Sequence, residues 1–194
     1  MLLRGFALSM EAALLHAVDE MCDQAPMRNM VTPGGHRMSV GMTNCGDLGW
    51  ISTPHGYRYA SKDPESGNPW PAMPECFLQL AASAAQAAGF DGFRPDACLI
   101  NCYEPGSRLT LHQDKNERDF AQPIVSVSLG MSAVFQFGGL KRSAPCGKLL
   151  LEHGDVVVWG REDRLRFHGV LPLKGEPHPR LGERRINLTF RKAG

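Results

Sequence analysis

The segment RINLTFR, residues 185–191, alternates strictly between polar and apolar side chains and carries an arginine at each end. Alternation with a period of two is typical of a β-strand with one face on an apolar core. The polar face allows two interpretations. It lies in water on an edge strand, or it lines a cavity in which Arg185 and Arg191 face the carboxylates of a small molecule. Because the two arginines are ~20 Å apart in an ideal strand, the second interpretation needs a twisted strand and converging side chains.

Working outward from this strand, the chain after Pro95 consists of short strand-like segments separated by glycine-rich or polar turns. Short strands at this spacing predict a sandwich or jelly roll. The predicted strands are 97–103, 107–112, 124–129, 133–137, 148–152, 156–159, 165–170 and 184–191.

The first half of the chain predicts two helices. The first begins with Ser9 as its N-cap and ends near Cys22, with an apolar stripe at helical spacing. The second runs from about Pro74 to Gly89. Between them the periodicity is poor, and a hairpin-like piece is predicted around residues 38–43. Helices followed by many strands predict an α+β fold in one domain, 1–194.

Composition excludes several classes of protein. A net charge of +1 argues against a protein that coats long nucleic acids through many phosphate contacts. The six cysteines form no CxxC pair, which argues against a zinc ribbon or a thioredoxin-like motif. No stretch approaches the ~20 apolar residues of a bilayer span, and no secretory signal is recognisable. We therefore expect a cytoplasmic protein with reduced thiols and no membrane association.

The motif His112-Gln113-Asp114 is a candidate metal site. Its histidine and carboxylate lie two residues apart at the end of a predicted strand, so they project to the same face. Two histidines and one carboxylate suit non-haem Fe(II) and leave coordination positions open. On the motif alone, His112 can equally be a strand-end histidine whose hydrogen bonds are satisfied. The second match, His153-Gly154-Asp155, lies between two apolar strands and predicts a turn.

A third ligand has to come from a distant strand. His168 lies in a late predicted strand and is followed by glycine, whereas His178 lies in a proline-rich loop that would hold a ligand less rigidly. We therefore predict His168. Asn101 and Tyr103 share one face of the predicted strand 97–103 and either add polar contacts to a cavity or mark a strand end.

Many separate stretches together resemble the AlkB family of Fe(II)- and 2-oxoglutarate-dependent dioxygenases, over nearly the whole chain. They are TPGG (32–35), MTNCG (42–46), LGW (48–50), NPWPAMP (68–74), NCY (101–103), HQD (112–114), PIVSVSLG (123–130), FQFGGLKR (135–142), LLLEHGDVVVWG (149–160), HG (168–169) and RINLTFR (185–191). The resemblance implies a double-stranded β-helix (jelly-roll) core at 97–194. It places the two helices and a nucleotide-recognition lid within 1–96.

The resemblance also implies the roles of individual residues. His112, Asp114 and His168 would bind Fe(II), with 2-oxoglutarate as cosubstrate and O2 as oxidant. The cosubstrate's distal carboxylate would be held by Arg185, Tyr103 and Asn187, and its metal-chelating end would lie near Arg191 and Asn101. Trp50, Tyr57 and Tyr59 would enclose a flipped base, and Arg142 would lie near a phosphate or the base.

The activity implied by the resemblance is oxidative demethylation of bases such as 1-methyladenine and 3-methylcytosine, with release of formaldehyde, succinate and CO2. The implied substrate is alkylated single- or double-stranded DNA, or RNA, bound by a monomer that needs no protein partner. One position departs from the family pattern HQDKDE: Asn116 replaces an aspartate that accepts a hydrogen bond from the base. An amide oxygen still accepts but brings no negative charge, so we expect a weaker preference for cationic lesions.

Three alternative functions use the same residues. A dioxygenase acting on protein or a small molecule would not need Trp50, Tyr57 or the basic pair Lys141-Arg142. A zinc hydrolase would leave Arg185 and Arg191 unexplained. A nucleic-acid-binding module with a vestigial metal site would not turn over 2-oxoglutarate.

Overall fold

The computed structural model describes all 194 residues, Met1–Gly194, and consists of two α-helices and mostly antiparallel sheets. The mixture of two helices with antiparallel strands predicted from the sequence is confirmed. The helices are α1 (Glu11–Gln24) and α2 (Glu75–Ala87). The strands are β1 (Leu2–Leu3), β2 (Gly41–Gly46), β3 (Gly49–Thr53), β4 (Gly56–Ala60), β5 (Ala97–Tyr103), β6 (Leu109–His112), β7 (Ile124–Gly130), β8 (Ala133–Phe137), β9 (Gly147–Leu151), β10 (Val156–Trp159), β11 (His168–Val170) and β12 (Arg185–Arg191).

Helix α1 begins one residue later than predicted, with Met10 in place of Ser9 at the N-cap position. Ser9 lies inside a 3-10 turn, Leu8–Met10, and no side chain caps α1. The N-cap prediction is wrong because backbone hydrogen bonds from Leu8 to Gly5 and from Met10 to Ala7 already tighten this turn. The buried face of the helix is the predicted apolar stripe, which consists of Leu14, Ala17, Val18 and Met21.

Helix α2 agrees with its prediction. Pro74 stands immediately before the helix, where its missing N–H costs no hydrogen bond. Gly89 follows the helix with a φ of 81°, a left-handed conformation that glycine adopts without strain. Neither α-helix could span a membrane, since α1 has 14 residues and α2 has 13, where a bilayer needs ~20 apolar ones.

All eight strands predicted after Pro95 are present, with ends shifted by up to three residues. The largest shift is in β11, which begins at His168 because residues 165–167 lie before the strand. The hairpin-like piece predicted at 38–43 is wrong. The hairpin of this region is β3–β4, and β2 instead pairs with β5 in the largest sheet.

Ten strands form two sheets, and the hairpin β3–β4 forms a third sheet on its own. The six-stranded sheet has the order β1-β10-β7-β12-β5-β2, and the four-stranded sheet has the order β6-β11-β8-β9. One apolar cluster packs α1 and α2 against the six-stranded sheet, as in the edge-to-face contact between Phe77 and Phe190. A second cluster lies between the two large sheets and includes Phe135 and Trp159.

Strand β12 is a central strand, paired with β5 on one side and β7 on the other, and all its residues are buried. The edge-strand interpretation of its polar face is therefore wrong. Ile186, Leu188 and Phe190 belong to the cluster under the helices. The polar residues of β12 face the other way, and Arg185 and Arg191 both line the cavity between the sheets.

Candidate active site

Two strands of the four-stranded sheet bring the predicted metal ligands together. His112 at the end of β6 is the direct cross-strand partner of His168 at the start of β11, and Asp114 follows two residues after β6. Asp114 Oδ1 lies 3.9 Å from His112 Nε2, and Asp114 Oδ2 lies 3.7 Å from His168 Nε2. One ligand atom from each residue falls within 4.8 Å of the other two, which fits a single metal ion.

Backbone carbonyls orient both imidazoles. His112 Nδ1 lies 2.8 Å from the Thr110 carbonyl oxygen, and His168 Nδ1 lies 3.0 Å from that of Arg166. A ring nitrogen that faces a carbonyl has to carry the proton, so Nε2 keeps its lone pair. Both histidines therefore present the nitrogen that a metal needs, as is usual for ligands with such partners.

The glycine after His168 is required by close strand packing. A Cβ at Gly169 would lie 2.7 Å from the Leu109 carbonyl oxygen of the neighbouring strand β6. Only glycine allows β11 to approach β6 this closely, which keeps the two histidine rings at a centroid distance of 4.5 Å.

The electrostatics favour the ligating forms of the buried residues. Burial, together with the neighbouring His112, lowers the pKa of His168 to about 4, so its imidazole is neutral at physiological pH. Burial acts to raise the pKa of Asp114, but the charge of Arg191 and the two histidines outweigh it and hold that pKa well below its usual range. The carboxylate is therefore ionised.

Arg185 is a buried guanidinium with free donors. Its residue is 1% exposed, it packs over the Tyr103 ring at 4.9 Å, and its Nη2 donates to Ser128 Oγ at 2.8 Å. Nε and Nη1 have no hydrogen-bond partner. An unpaired buried charge is costly unless an ion of opposite sign satisfies it. Each of these free donors can bond to a carboxylate oxygen, such as one at an end of 2-oxoglutarate.

The amides of Asn101 and Asn187 lie between the two arginines on the cavity wall. Asn187 Nδ2 donates to Ser126 Oγ and the Val127 carbonyl oxygen, both at 2.8 Å, so its orientation is fixed. Asn101 Nδ2 donates to Asn187 Oδ1 at 3.3 Å. An amide nitrogen carries two hydrogens, so Asn101 keeps one N–H for a ligand.

Four of the five predicted base-binding residues line the mouth of the same cavity, which has a volume of about 380 Å³. Trp50 and Tyr57 stack with ring centroids 5.4 Å apart and planes 14° apart. Asn116 lies beside them, with its Oδ1 3.5 Å from Trp50 Nε1. Arg142 lines the cavity, bonds to the Leu111 carbonyl oxygen and packs over the Phe167 ring.

Tyr59 is placed differently from the other predicted site residues. It does not line the cavity, and its hydroxyl donates to Glu117 Oε1 at 2.6 Å. Burial, opposed by Arg191, raises the pKa of Tyr59 above its ordinary value, so the hydroxyl stays protonated. Its predicted role in enclosing a base stays a prediction.

Sequence reasoning missed two buried charged residues, Glu117 and Arg164. Arg164 donates to the main-chain oxygens of Asp114 at 2.8 Å and Gln122 at 3.1 Å, and to Glu117 Oε2 at 3.1 Å. Both lie in irregular segments, where no periodicity marks a residue as buried.

The remaining histidines near acidic groups lie elsewhere. His153 is part of the turn between β9 and β10, as predicted, and its ring stacks on His178 at 4.3 Å. His178 lies outside the cavity that His112 and Asp114 line, so it is no rival to His168 as the third ligand.

Comparison with known proteins identifies the class that this fold and site define. A sequence profile of the 2OG-Fe(II) oxygenase superfamily matches residues 1–191, so the chain is an oxygenase of that superfamily, whose members use Fe(II), 2-oxoglutarate and O2.

Its relatives narrow this assignment. The chain is 57% identical over 193 residues to the alpha-ketoglutarate-dependent dioxygenase AlkB of Escherichia coli (strain K12), covering 100% of this chain and 89% of that protein. It is 44% identical to the AlkB homolog of Caulobacter vibrioides (strain NA1000 / CB15N), covering 96% of this chain and 83% of the relative. The chain therefore belongs to the AlkB family.

A solved structure supports the same placement. The structure of OsALKBH1 superimposes with a TM-score of 0.84 at 28% sequence identity, covering 98% of this chain and 96% of that one.

Proposed function

We propose that this chain repairs alkylated nucleic-acid bases by oxidative dealkylation. The observation that supports this most directly is a single cavity that holds three groups of residues at once: the His112-Asp114-His168 set, the arginines of β12, and the Trp50–Tyr57 stack. A metal hydrolase needs no second anion site of this kind, and a simple binding module needs no metal ligands. The 57% identity to an alpha-ketoglutarate-dependent dioxygenase AlkB supports the same assignment.

Under this proposal the two large sheets form a double-stranded β-helix core within 97–194. The hairpin β3–β4 serves as the nucleotide-recognition lid within 1–96. The hairpin pairs with neither large sheet, and its Trp50 and Tyr57 lie at the cavity mouth. This is where a lid over a bound nucleotide has to lie.

His112, Asp114 and His168 would hold Fe(II), the two histidines through Nε2. When bound, Fe(II) with 2-oxoglutarate and O2 would supply the oxidation that hydroxylates a methyl group on the base. The 2-oxoglutarate would leave as succinate and CO2, and the hydroxymethyl adduct would release formaldehyde. The protein contributes orientation: Thr110 and Arg166 carbonyls fix the imidazoles. The Arg191 guanidinium bonds to the Asp114 carboxylate, and its positive charge keeps that carboxylate ionised.

The polar face of β12 would bind the cosubstrate. Arg185 would donate from Nε or Nη1, which have no other partner, to the distal carboxylate of 2-oxoglutarate. Tyr103 and Asn187 would lie beside that carboxylate. Arg191 and Asn101 would lie near the metal-chelating end, since Arg191 already contacts the ligand Asp114. Binding at both ends would fix which carbons face the metal.

The alkylated base would enter between the hairpin and the metal. A base inside a duplex cannot reach a buried metal, so it has to be flipped out or presented on a single strand. Trp50 and Tyr57 would stack on it, which tolerates many bases because every base has a π-face. Asn116 would accept a hydrogen bond from the base, and Arg142 would contact the base or its phosphate.

The chain is proposed to act as a monomer in the cytoplasm, without a protein partner. All six cysteines are free thiols, as the reducing cytoplasm favours. DNA and RNA are both candidate substrates.

The test is anaerobic loading with Fe(II), followed by air, 2-oxoglutarate and a short single strand that carries 1-methyladenine or 3-methylcytosine. We expect mass spectrometry to show loss of the methyl group, and formaldehyde to form in equal amount. His112→Ala abolishes both, whereas His16→Ala, an exposed histidine of α1, leaves both unchanged. Consumption of 2-oxoglutarate while the strand stays methylated would instead indicate a dioxygenase with a protein or small-molecule substrate.

A further inference from the structure

Glu117 is a buried carboxylate in the loop that follows the metal ligand Asp114, with a side chain that is 2% exposed. Acidic side chains are almost never fully buried unless they are paired. Oε1 of Glu117 accepts from the Tyr59 hydroxyl at 2.6 Å, and Oε2 accepts from Arg164 Nη2 at 3.1 Å. Arg191 Nε lies 3.6 Å from Oε1. One carboxylate thus joins side chains from three separate segments of the chain.

Its partner Arg164 holds the loop that carries Asp114. Residues 113–123 contain no helix or strand, so side chains have to fix their path. Arg164, 2% exposed, bonds to the main chain of Asp114 and of Gln122 and to the carboxylate of Glu117. The placement of Asp114 therefore depends on the same guanidinium that Glu117 neutralises.

The other partner, Tyr59, belongs to β4 of the hairpin. Two side-chain hydrogen bonds join this hairpin to the loop 113–123: the Tyr59–Glu117 bond of 2.6 Å and the longer Trp50–Asn116 contact of 3.5 Å. The first is short and ends on a buried charge, and charge-assisted bonds are about twice as strong as neutral ones. It is the stronger of the two attachments between hairpin and loop.

Glu117, Tyr59 and Arg164 do not line the cavity, although Asp114 and Arg191 do. A role for Glu117 in the reaction would therefore act through other residues. With the proposed function as its basis, we propose that Glu117 is a positioning residue that links the placement of the hairpin β3–β4 to the placement of Asp114 and Arg191. One carboxylate would thereby align the base-stacking rings of Trp50 and Tyr57 with Asp114 and Arg191 at the metal ligands.

Two substitutions separate the ends of this link. Glu117→Gln keeps the shape of the side chain but removes the charge that Arg164 and Arg191 face, so it weakens both ends. Tyr59→Phe removes only the bond to the hairpin. Glu152→Gln is the matched control, because that glutamate is 61% exposed and lies 3.6 Å from its partner Arg4.

Two measurements report on the two ends without nucleic acid or oxygen chemistry. Titration calorimetry of 2-oxoglutarate into the full chain loaded with Mn(II) measures the affinity for 2-oxoglutarate, which reports on the placement of Asp114 and Arg191. Hydrogen–deuterium exchange of residues 49–60 in the same complex measures the hairpin. We expect Glu117→Gln to weaken 2-oxoglutarate binding about tenfold and to raise hairpin exchange about tenfold. Tyr59→Phe raises hairpin exchange to a similar extent and changes 2-oxoglutarate affinity less than twofold.

The double variant tests the link itself. Adding Tyr59→Phe to Glu117→Gln should raise hairpin exchange no further, because the effects of two substitutions in one hydrogen-bond network are not additive. A change at only one end in Glu117→Gln, or fully additive exchange, overturns the proposal. If Glu117→Gln does not fold, Arg164→Lys replaces it, with the same two effects expected. Demethylation activity can be absent while both readouts change as expected, and demethylation can occur while neither readout changes. The outcome of this test is therefore independent of the test of the proposed function.

Discussion

Arg191 donates through both Nε and Nη2 to a single oxygen of Asp114, Oδ2, at 2.9 and 2.8 Å. The other oxygen, Oδ1, is left toward His112. A lysine cannot form this fork, because its ammonium is a point charge. We expect Arg191→Lys to weaken binding of Mn(II) and 2-oxoglutarate about tenfold or more, measured by titration calorimetry. Arg180→Lys, which alters an exposed ion pair with Glu11, is the control and should change neither.

Arg185→Met should separate stability from cosubstrate binding. The substitution removes a buried charge with two unsatisfied donors and replaces it with an apolar chain of similar length. Such replacements are neutral or stabilise by about 1–4 kcal/mol. We expect urea denaturation of the metal-free protein to show an unchanged or larger free energy of unfolding. Binding of 2-oxoglutarate should fall by at least about tenfold. A variant that is both less stable and equally good at binding would contradict the assignment of Arg185.

Tyr57→Ala should weaken binding of the nucleic acid alone. Tyr57 is 46% exposed and stacks on Trp50 at the cavity mouth, so its loss leaves the core intact. Base stacking contributes about 1–3 kcal/mol per ring, which predicts a KM for methylated single-stranded DNA raised about fivefold or more. The 2-oxoglutarate KM should stay constant. Leu150→Ala, an exposed residue of β9, is the control, and an equal effect there would indicate a general loss of folding.

Asn116→Asp should shift lesion preference. Asn116 Oδ1 lies 3.5 Å from the indole nitrogen of Trp50, so a carboxylate there would lie close to a stacked base. A charge pair at that range contributes about 1 kcal/mol when exposed to water. We expect the ratio of kcat/KM for cationic over neutral lesions to rise about fivefold. An unchanged ratio would show that residue 116 does not set this preference.

His153 should make folding sensitive to mild acid. Its Nδ1 accepts from the Gly130 N–H at 2.9 Å, and burial and the neighbouring His178 lower its pKa below the ordinary 6.5. The unfolded chain then takes up the proton first, so the free energy of unfolding falls as pH drops below 6.5. Urea denaturation of the metal-free protein above and below that pH should show a smaller loss for His153→Gln than for the unsubstituted chain. Equal losses would exclude a contribution from His153.

The positions of the strands could be predicted from the sequence more fully than the order in which the strands pair within each sheet. The alternation in 185–191 defines the two faces of β12, but periodicity carries no information on which strands flank it, so an edge strand stayed open as an alternative. The same limit applies to His112 and His168, which meet only because β6 pairs with β11. The hairpin was misplaced because local composition does not reveal that residues 41–46 pair with the distant strand β5. The roles of Glu117 and Arg164 could not be predicted, since each depends on tertiary contacts of a loop.

The hairpin β3–β4 shares no backbone ladder with the rest of the protein. Its sequence can therefore drift, or be exchanged for that of a relative, without altering the register of any strand that carries a metal or cosubstrate ligand. Several attachment points constrain such a graft. The Asn44 amide bonds to both the N–H and the carbonyl of Trp50, and the Tyr59 hydroxyl bonds to Glu117. The Ser52 hydroxyl bonds to the Val31 carbonyl, Ile51 is buried in the core, and Gly49 packs directly against Trp70. An engineer seeking a new lesion range could vary the exposed hairpin positions between Thr53 and Arg58 as a unit, while the strands that carry the metal and cosubstrate ligands stay unchanged.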